Sequence, residues 1–400
     1  MDIVIIGGGL AAAKAAKGLR ENGFDGSLTV VAEEDRTPYE RPPLSKDVLL
    51  GESTVDDAAV EPRAWYEEHD VRLLTGRTVE RLDVAQHRVH LDDGQVVPYD
   101  KAVLATGARP FVPDVPGAEG AIYLRTADDA LRLVDAFGSA SSLVVVGGGW
   151  IGLEVAAAAR TNGLDVTLLE RGDQPLQGVL GARLGEHVAN LHRHHGVDVR
   201  TGVQVGAITG DGPYAVRVGD EVVEADLVVV GAGVVPNVEL AESAGLLVDD
   251  GVMTDEHFVT SDPDVLAIGD VAKVQNTALG EALRVEHWDV AGRQGEAVAR
   301  VLLGEDAAYD WQPYFFTDQY DLGMEYVGHG SGDQDVVLRG EPDDEADGGG
   351  EYVAFWLDGD TVTAAMHVNL WDTTDDLRAL VGRQVDRERL ADPSVELSEV

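Results

Sequence analysis

The chain contains no cysteine among its 400 residues. This absence excludes structural disulfides, thiolate metal sites, thiolate-held iron–sulfur clusters and any thiol nucleophile or dithiol relay. No apolar run reaches the ~18–20 residues of a membrane-spanning helix, and we expect no signal peptide. These features predict a cytoplasmic protein that binds no membrane.

Lysine is also scarce. Only five of the 30 basic residues are lysines, so 25 are arginines, and 73 acidic residues give a formal net charge of −43. Such a surface repels nucleic-acid backbones and anionic lipid, so we expect neither as a partner. At 1 M salt the Debye length is about 3 Å, which screens the repulsion between these charges. The composition therefore predicts a halophilic protein.

The chain begins with a strand–turn–helix–strand pattern. The buried run Ile3–Ile6 leads into a glycine turn and helix-forming residues, and Leu28–Val31 is the next strand. Gly7, Gly9 and Ala12 form a GxGxxA pattern. Gly7 allows the tight turn, Gly9 lets the backbone approach a pyrophosphate, and Ala12 permits close packing of the helix on the strand. The pattern is typical of a dinucleotide-binding unit.

The same unit recurs 140 residues later. The buried run Leu143–Val146 precedes Gly147, Gly149 and Gly152, and Val166–Leu169 is the following strand. One such glycine pattern is a weak signal, since glycine turns also occur for structural reasons alone. Two in register, each between a strand and a helix, predict two dinucleotide sites.

An acidic residue follows the second strand of each unit, Glu33 or Glu34 in the first and Glu170 in the second. A carboxylate there accepts hydrogen bonds from ribose hydroxyls. Glu170 would also repel a 2′-phosphate, which predicts NADH rather than NADPH, although Arg171 leaves some room for NADPH. Two adjacent carriers imply hydride transfer between them, and flavin plus nicotinamide is the natural pair.

Further strings outside the glycine turns carry a family resemblance. They are Pro38–Lys46, Ala105–Gly107, Gly231–Asn237, Ala267–Ala272, Arg284–Trp288 and Thr317–Asp321. Together they resemble the FAD-dependent ferredoxin reductases of the putidaredoxin reductase and biphenyl-dioxygenase ferredoxin reductase type. These belong to the pyridine nucleotide-disulfide oxidoreductase superfamily but have no redox cysteines. The resemblance covers nearly the whole chain.

The resemblance implies an α/β fold with two Rossmann-like FAD/NAD(P)-binding domains and an α+β C-terminal domain. The FAD-binding domain would take residues 1–110 and 237–312, with the NAD(P)H-binding domain inserted at 111–236. The C-terminal domain would take 313–400. Prolines at 110, 113, 116 and 236 independently indicate extended connectors at both junctions of the insertion.

The resemblance also implies which residues bind each cofactor. FAD would contact Gly7, Gly9, Ala11, Ala12, Glu33, Glu34, Arg41, Lys46, Val79, Thr106, Arg125, Asp270 and Trp288. The nicotinamide nucleotide would contact Gly147, Gly149, Ile151, Gly152, Glu154, Glu170 and Gly233. Lys46 and Glu154 would be the catalytic residues, as an ion pair beside the flavin ring. The alternative is that Glu154 only stabilises the start of its helix.

The chain departs from the family pattern at two positions. Gln177 stands where relatives often have an arginine, which puts one phosphate contact in doubt. Phe316 replaces an aromatic residue near the flavin; it can still stack but cannot donate an indole hydrogen bond.

A histidine group, His192, His194 and His195, raises the question of a metal site. His194 and His195 point to different faces of a helix, and no third ligand stands out, so no metal is expected. The pattern favours a solvated helix end.

The sequence thus predicts an enzyme that passes electrons from NADH through FAD to an iron–sulfur protein, a small [2Fe–2S] ferredoxin or a rubredoxin. Two alternatives stay open: an NADH oxidase or quinone reductase, and an NADH-binding flavoprotein of the apoptosis-inducing-factor type.

Overall fold

The computed structural model describes all 400 residues. They form two compact units. Unit 1 comprises Met1–Glu40, Asp56–Arg109 and Val234–Pro313, and unit 2 comprises Arg41–Val55, Pro110–Gly233 and Tyr314–Val400. The domain boundaries expected from the sequence stay a prediction.

The strands are β1 (Asp2–Ile6), β2 (Ser27–Val31), β3 (Val71–Leu74), β4 (Val79–Asp83), β5 (Arg88–Leu91), β6 (Val96–Pro98), β7 (Lys101–Leu104), β8 (Ala108–Pro110), β9 (Ser142–Val146), β10 (Asp165–Leu169), β11 (Asp198–Arg200), β12 (Val205–Thr209), β13 (Tyr214–Val218), β14 (Glu221–Ala225), β15 (Leu227–Val230), β16 (Val234–Pro236), β17 (Val252–Thr254), β18 (Val265–Ala267), β19 (Ala272–Asn276), β20 (Glu281–Leu283), β21 (Tyr314–Gln319), β22 (Leu322–Gly328), β23 (Asp335–Gly340), β24 (Tyr352–Asp358) and β25 (Thr361–Val368).

The α-helices are α1 (Leu10–Glu21), α2 (Pro42–Ser45), α3 (Asp47–Leu50), α4 (Arg63–Glu68), α5 (Ala127–Phe137), α6 (Trp150–Thr161), α7 (Gln177–Leu180), α8 (Ala182–His194), α9 (Glu239–Ser243), α10 (Trp288–Leu302), α11 (Thr374–Leu380) and α12 (Arg387–Ala391). Short 3₁₀ helices cover Val55–Ala58, Ala118–Gly120, Gly269–Val271 and Leu397–Glu399.

Unit 1 is built on a five-stranded parallel sheet in the order β18-β7-β1-β2-β3. Its central strand β1 is apolar and buried from Ile3 to Ile6 because both faces of the sheet are covered. The chain leaves β1 through α1 to β2 on one side, whereas β7 lies on the other side. The carboxyl end of β1 is therefore a topological switch point, where α/β sheets bind ligands.

Unit 2 repeats this arrangement in a four-stranded parallel sheet, β11-β10-β9-β15. Strand β9 lies between β10, reached through α6, and β15. The carboxyl end of β9 is thus the second switch point. The apolar runs that the sequence identifies at residues 143–146 and 166–169 lie in β9 and β10, in parallel register.

The C-terminal part of unit 2 is a five-stranded antiparallel sheet in the order β21-β22-β25-β24-β23. One apolar cluster packs it with α11 and α12, and another packs it with α6 and α8. Two smaller antiparallel sheets are β4-β5-β6 in unit 1 and β12-β13-β14 in unit 2. Unit 1 also has a mixed sheet, β17-β19-β20, in which β17 and β19 are parallel and β19 and β20 are antiparallel, and β8 pairs with β16. The α/β class with two Rossmann-like sheets and an α+β C-terminal part is confirmed.

Candidate functional site: two glycine turns and a buried ion pair

The first glycine turn joins β1 to α1. Gly7 has φ +135°, and a Cβ atom there would come within 2.0 Å of the Ala105 carbonyl oxygen, so only glycine fits. At Gly9, the N-cap of α1, a Cβ would meet nothing within 4 Å. No side chain caps α1, and its first turn has no acidic residue. The turn therefore presents free backbone N–H groups to open space, which fits a pyrophosphate.

The second turn, between β9 and α6, has the same construction. Gly147 has φ +107°, and a Cβ there would lie 2.5 Å from the Gly231 carbonyl oxygen. A Cβ at Gly152 would lie 2.1 Å from the Gly147 carbonyl oxygen, which explains the last small residue of the motif. Gly149 is an N-cap without a capping side chain, and the first turn of α6 is free of acids. This turn fits a second dinucleotide.

Glu170 is the first residue after β10 and is half-buried. Its Oε2 accepts a hydrogen bond from the Gly148 backbone N–H at 2.6 Å, and its Oε1 accepts one from the Gly172 N–H at 2.5 Å. The carboxylate is thus held against the second glycine turn. The side chain of the next residue, Arg171, is exposed.

The acidic residues of unit 1 lie differently. The Gly7 N–H donates to the Val31 carbonyl just as the Gly147 N–H donates to the Leu169 carbonyl, so Ala32 takes the place that Glu170 has in unit 2. Glu33 follows and is exposed, and Glu34 accepts a hydrogen bond from the Tyr39 hydroxyl at 2.6 Å.

The ion pair between Lys46 and Glu154 is present, as the resemblance implied. The Lys46 ammonium lies 2.7 Å from Glu154 Oε1, and the two side chains are 12% and 4% exposed. Lys46 stands at the junction of α2 and α3, and its ammonium lies 5.2 Å from the centre of the Phe316 ring. A largely buried ammonium thus lies close to both a carboxylate and an aromatic ring. Its place beside a flavin stays a prediction.

Four other expected FAD contacts lie in unit 1. Val79 begins β4 and packs against the core of the unit. The Thr106 hydroxyl donates to the Asn237 carbonyl at 2.9 Å. Asp270 lies in a 3₁₀ helix directly after β18, and Trp288 is the first residue of α10. Unit 1 thus has a carboxylate at a second strand end of its parallel sheet.

In unit 2, the Arg41 side chain donates a hydrogen bond to the Arg125 carbonyl oxygen, so these two expected contacts are neighbours. Ile151, on the first turn of α6, is 42% exposed. Gly233, with φ +98°, is also exposed.

The expectation of a solvated helix end is wrong for His192. His192 is 0% exposed because it follows Leu184 and Val188 on the buried face of α8. Burial lowers its pKa to about 4, and only the hydrogen bond with Gln319 opposes this shift. His194, in contrast, is exposed. No group of three or more His, Asp or Glu side chains in the chain could hold a metal ion.

The partners that surround Glu154 were not predicted from the sequence. Ser45 and Thr317 both donate hydrogen bonds to its carboxylate, and Gln319 donates to Thr317. All three are buried polar side chains. The strand alternation in β21, which puts residues 317 and 319 on one face, was the available signal.

None of the helices is both long enough and apolar enough to span a membrane.

Comparisons with known proteins agree with this geometry. Residues 1–295 match the family model described as pyridine nucleotide-disulphide oxidoreductase, and residues 314–400 match the one described as reductase C-terminal. Rhodocoxin reductase of Rhodococcus erythropolis is 41% identical over 348 residues, 86% of this chain and 82% of the relative. Putidaredoxin reductase of Pseudomonas putida is 35% identical over 416 residues, 100% of this chain and 96% of the relative.

Solved structures are similar over the full length. The covalent putidaredoxin reductase–putidaredoxin complex matches with a TM-score of 0.93 at 35% identity, over 100% of this chain and 97% of that chain. The ferredoxin reductase for the CYP199A2 system from Rhodopseudomonas palustris matches with a TM-score of 0.93 at 32% identity, over 100% and 99%. The resemblance is confirmed. The chain therefore belongs to the pyridine nucleotide-disulphide oxidoreductase family and is an oxidoreductase of the ferredoxin reductase type that uses FAD and NAD(P)H.

Proposed function

We propose that this chain oxidises NADH and passes the two electrons, one at a time, to a small iron–sulfur protein of the ferredoxin or rubredoxin class. The observation that carries this function is the pair of matching glycine turns in a chain without cysteine. Relatives support the acceptor: one is described as the ferredoxin–NAD(+) reductase component of an anthranilate dioxygenase system. When bound, FAD supplies the chemistry that takes up two electrons together and releases them singly.

The residues of unit 1 would hold the adenosine diphosphate part of FAD. The backbone N–H groups after Gly9, at Ala11 and Ala12, would donate to the pyrophosphate. Glu33 or Glu34 would accept from the ribose hydroxyls. Further proposed FAD contacts are Gly7, Arg41, Val79, Thr106, Arg125, Asp270 and Trp288.

The second glycine turn would hold NADH rather than NADPH. Glu170 supports this preference because its carboxylate is held at the Gly148 N–H, beside the proposed pyrophosphate site. There it would accept from both adenosine ribose hydroxyls and repel a 2′-phosphate. Gly147, Gly149, Ile151, Gly152 and Gly233 are the other proposed contacts.

Lys46 and Glu154 would act on the flavin through charge rather than through proton transfer. The Lys46 ammonium is a fixed cation with little solvent around it, since its side chain is 12% exposed. Such a cation favours an electron-rich ring next to it. Glu154 orients the ammonium, and the remaining contribution of the protein is to position the two cofactors.

We further propose a division into three domains. The first comprises residues 1–110 and 237–312, the second 111–236 and the third 313–400, and the family model match at 314–400 supports the last boundary.

The protein would work in the cytoplasm at molar salt. Two acidic proteins repel each other at low salt, so at a net charge of −43 we expect salt to speed electron transfer to an acidic ferredoxin. A steep fall in rate with salt would contradict this.

Stopped-flow mixing of the NADH-reduced, FAD-loaded protein with three acceptors tests the function. We expect a [2Fe–2S] ferredoxin to oxidise the protein much faster than a soluble quinone or oxygen does. Faster oxidation by quinone or oxygen would make the chain a quinone reductase or an NADH oxidase. A reduced form that persists with all three acceptors would make it an NADH-binding flavoprotein without this transfer activity.

A further inference from the structure

Unit 2 contains a connected set of buried polar side chains that reaches from the Lys46–Glu154 pair to the protein surface. Glu154, Thr317, Gln319 and His192 are at most 4% exposed, and each is hydrogen-bonded to the next. Burying a polar group costs free energy unless it is hydrogen-bonded. Each buried polar group in this set therefore needs a hydrogen-bond partner, and each group supplies one for its neighbour.

The inner end of this set is the Glu154 carboxylate. Oε1 accepts hydrogen bonds from the Lys46 ammonium at 2.7 Å and from the Thr317 hydroxyl at 2.6 Å. Oε2 accepts one from the Ser45 hydroxyl at 2.5 Å. Three donors from α2, its junction with α3, and β21 thus fix the carboxylate, whereas a lone ion pair would leave it free to rotate.

In each of the next hydrogen bonds, the donor is the residue farther from Glu154 and the acceptor is the residue nearer to it. Because the Thr317 hydroxyl gives its proton to Glu154, its oxygen accepts from Gln319 Nε2, at 3.1 Å. The Gln319 carbonyl oxygen then faces His192 Nε2 at 2.8 Å and can only accept, so Nε2 carries the proton. His192 Nδ1 is left as the acceptor for the Tyr320 hydroxyl, at 3.4 Å, which is the longest link.

His192 keeps this direction because it stays neutral. Its pKa is lowered to about 4, chiefly by burial, so the imidazole has one donor and one acceptor nitrogen at neutral pH. At the outer end the Tyr320 ring stacks on His195 with 3.6 Å between ring centres, beside an open cavity of about 350 Å³ that Arg160 also lines.

Stability alone does not require such an arrangement. Replacing a buried ion pair by apolar side chains of similar volume is often neutral or stabilising. A lysine side chain also has about 2 kcal/mol of rotamer entropy, so one hydrogen bond holds its ammonium poorly. The extra donors on Glu154 remove this freedom from both partners of the pair.

We propose that Thr317, Gln319 and His192 are positioning residues that fix the Glu154 carboxylate and, through it, the Lys46 ammonium. This role rests on the proposed function, since it is the fixed ammonium that acts on the flavin. The hydroxyl of Thr317 is the essential link, because it is the one member that contacts Glu154 directly. The effect of replacing each residue on the FAD potential should fall with the number of hydrogen bonds that separate the residue from Glu154, in the order Thr317, Gln319 and His192.

The test is the two-electron midpoint potential of bound FAD in variants of the whole protein. Thr317→Val keeps the side-chain shape but removes the hydroxyl, and Thr317→Ser restores it. We expect Thr317→Val to reduce the equilibrium constant for FAD reduction about tenfold, which is about 30 mV for a two-electron couple. Thr317→Ser should stay near wild type. Thr363→Val, another strand threonine whose hydroxyl bonds Gln334, is the matched control.

A double-mutant cycle with Glu154→Gln separates positioning from general damage. The Thr317→Val shift should vanish in the Glu154→Gln background if Thr317 acts through that carboxylate. The positioning role would be overturned if Thr317→Val shifted the FAD potential equally in the wild-type and Glu154→Gln backgrounds. It would also be overturned if Thr317→Val left the wild-type potential unchanged while Glu154→Gln alone shifted it.

If Lys46→Met and Glu154→Gln both leave the FAD potential unchanged, the proposed action of the ion pair on the flavin fails, and the positioning role fails with it. The NADH:ferredoxin activity could still stand. If Thr317→Val does not fold, Gln319→Met carries the same test with a smaller expected shift.

Discussion

Glu170 accepts a hydrogen bond from the backbone N–H of Gly148, 22 residues earlier, at 2.6 Å. This bond ties the end of β10 to the glycine turn after β9. In unit 1 the corresponding position is Ala32, whose side chain packs where a Cβ at Gly8 would lie. The two turns have similar glycine conformations, but only the second has a carboxylate at this position.

Replacing Glu170 with glutamine should move the cofactor preference toward NADPH. The variant keeps the side-chain size and removes the charge that repels a 2′-phosphate, and like-charge contacts cost several kcal/mol. Its single amide oxygen can replace only one of the two acceptors that Glu170 offers to the Gly148 and Gly172 N–H groups. We expect the ratio of kcat/KM for NADPH to that for NADH to rise about tenfold or more. Glu186→Gln, on the exposed side of α8, is the control and should leave the ratio unchanged. Wild type that already prefers NADPH would refute the assignment.

Replacing Gly9 with alanine should weaken FAD binding without unfolding the protein. The added Cβ meets no protein atom within 4 Å, and φ at Gly9 is −95°, which alanine adopts freely. It would project instead into the space proposed for the pyrophosphate. Equilibrium dialysis should show a loss of FAD affinity, while the apoprotein keeps its Tm. Gly120→Ala, equally open and also at ordinary φ, is the control; equal FAD affinity in both variants would contradict the site.

His192 should make the fold less stable as the pH falls from 6.5 toward 4. The unfolded chain takes up a proton near the ordinary histidine pKa of 6.5, whereas burial lowers the folded pKa to about 4. The unfolded state therefore binds more protons between pH 6.5 and 4, and the free energy of unfolding falls by up to about 3 kcal/mol across this range.

Thermal unfolding at pH 7.5 and pH 5 measures this effect. The Tm of His192→Gln should fall less between the two pH values than the Tm of wild type. His69→Gln, at an exposed position after α4, should behave as wild type does. A pH dependence that is the same in all three proteins would show that His192 does not contribute.

Salt should stabilise the fold. At a net charge of −43, like charges destabilise the compact state at low ionic strength, and screening removes this term as the Debye length shrinks from about 10 Å at 0.1 M to about 3 Å at 1 M. We expect Tm to rise with NaCl, most steeply below 1 M. Sucrose controls for solute exclusion, which needs no charge. A Tm that is flat or falls with NaCl would contradict the halophilic assignment.

The glycine turns could be predicted because their determinants are local. The strand, turn and helix around Gly7, and again around Gly147, follow from residues close together in sequence. The pair of Lys46 and Glu154 is 108 residues apart in the chain, and it was predicted through the family resemblance rather than through any local pattern.

The hydrogen-bond chain behind Glu154 could not be predicted in this way. Gln319 and His192 are 127 residues apart, and their contact depends on how α8 packs against β21. The burial of His192 had a signal, since it lies four residues after Val188 and eight after Leu184 on one helical face. That periodicity was not recognised because His192 belongs to a polar run of three histidines and one arginine, residues 192–195.

Anaerobic titration of the FAD-loaded protein with NADH tests the central claim most directly. The chain has no cysteine, so it contains no dithiol that could store a second electron pair. One equivalent of NADH per FAD should therefore complete the loss of the yellow flavin absorbance. A requirement for two equivalents, or a protein that stays colourless after reconstitution with FAD, would contradict the account.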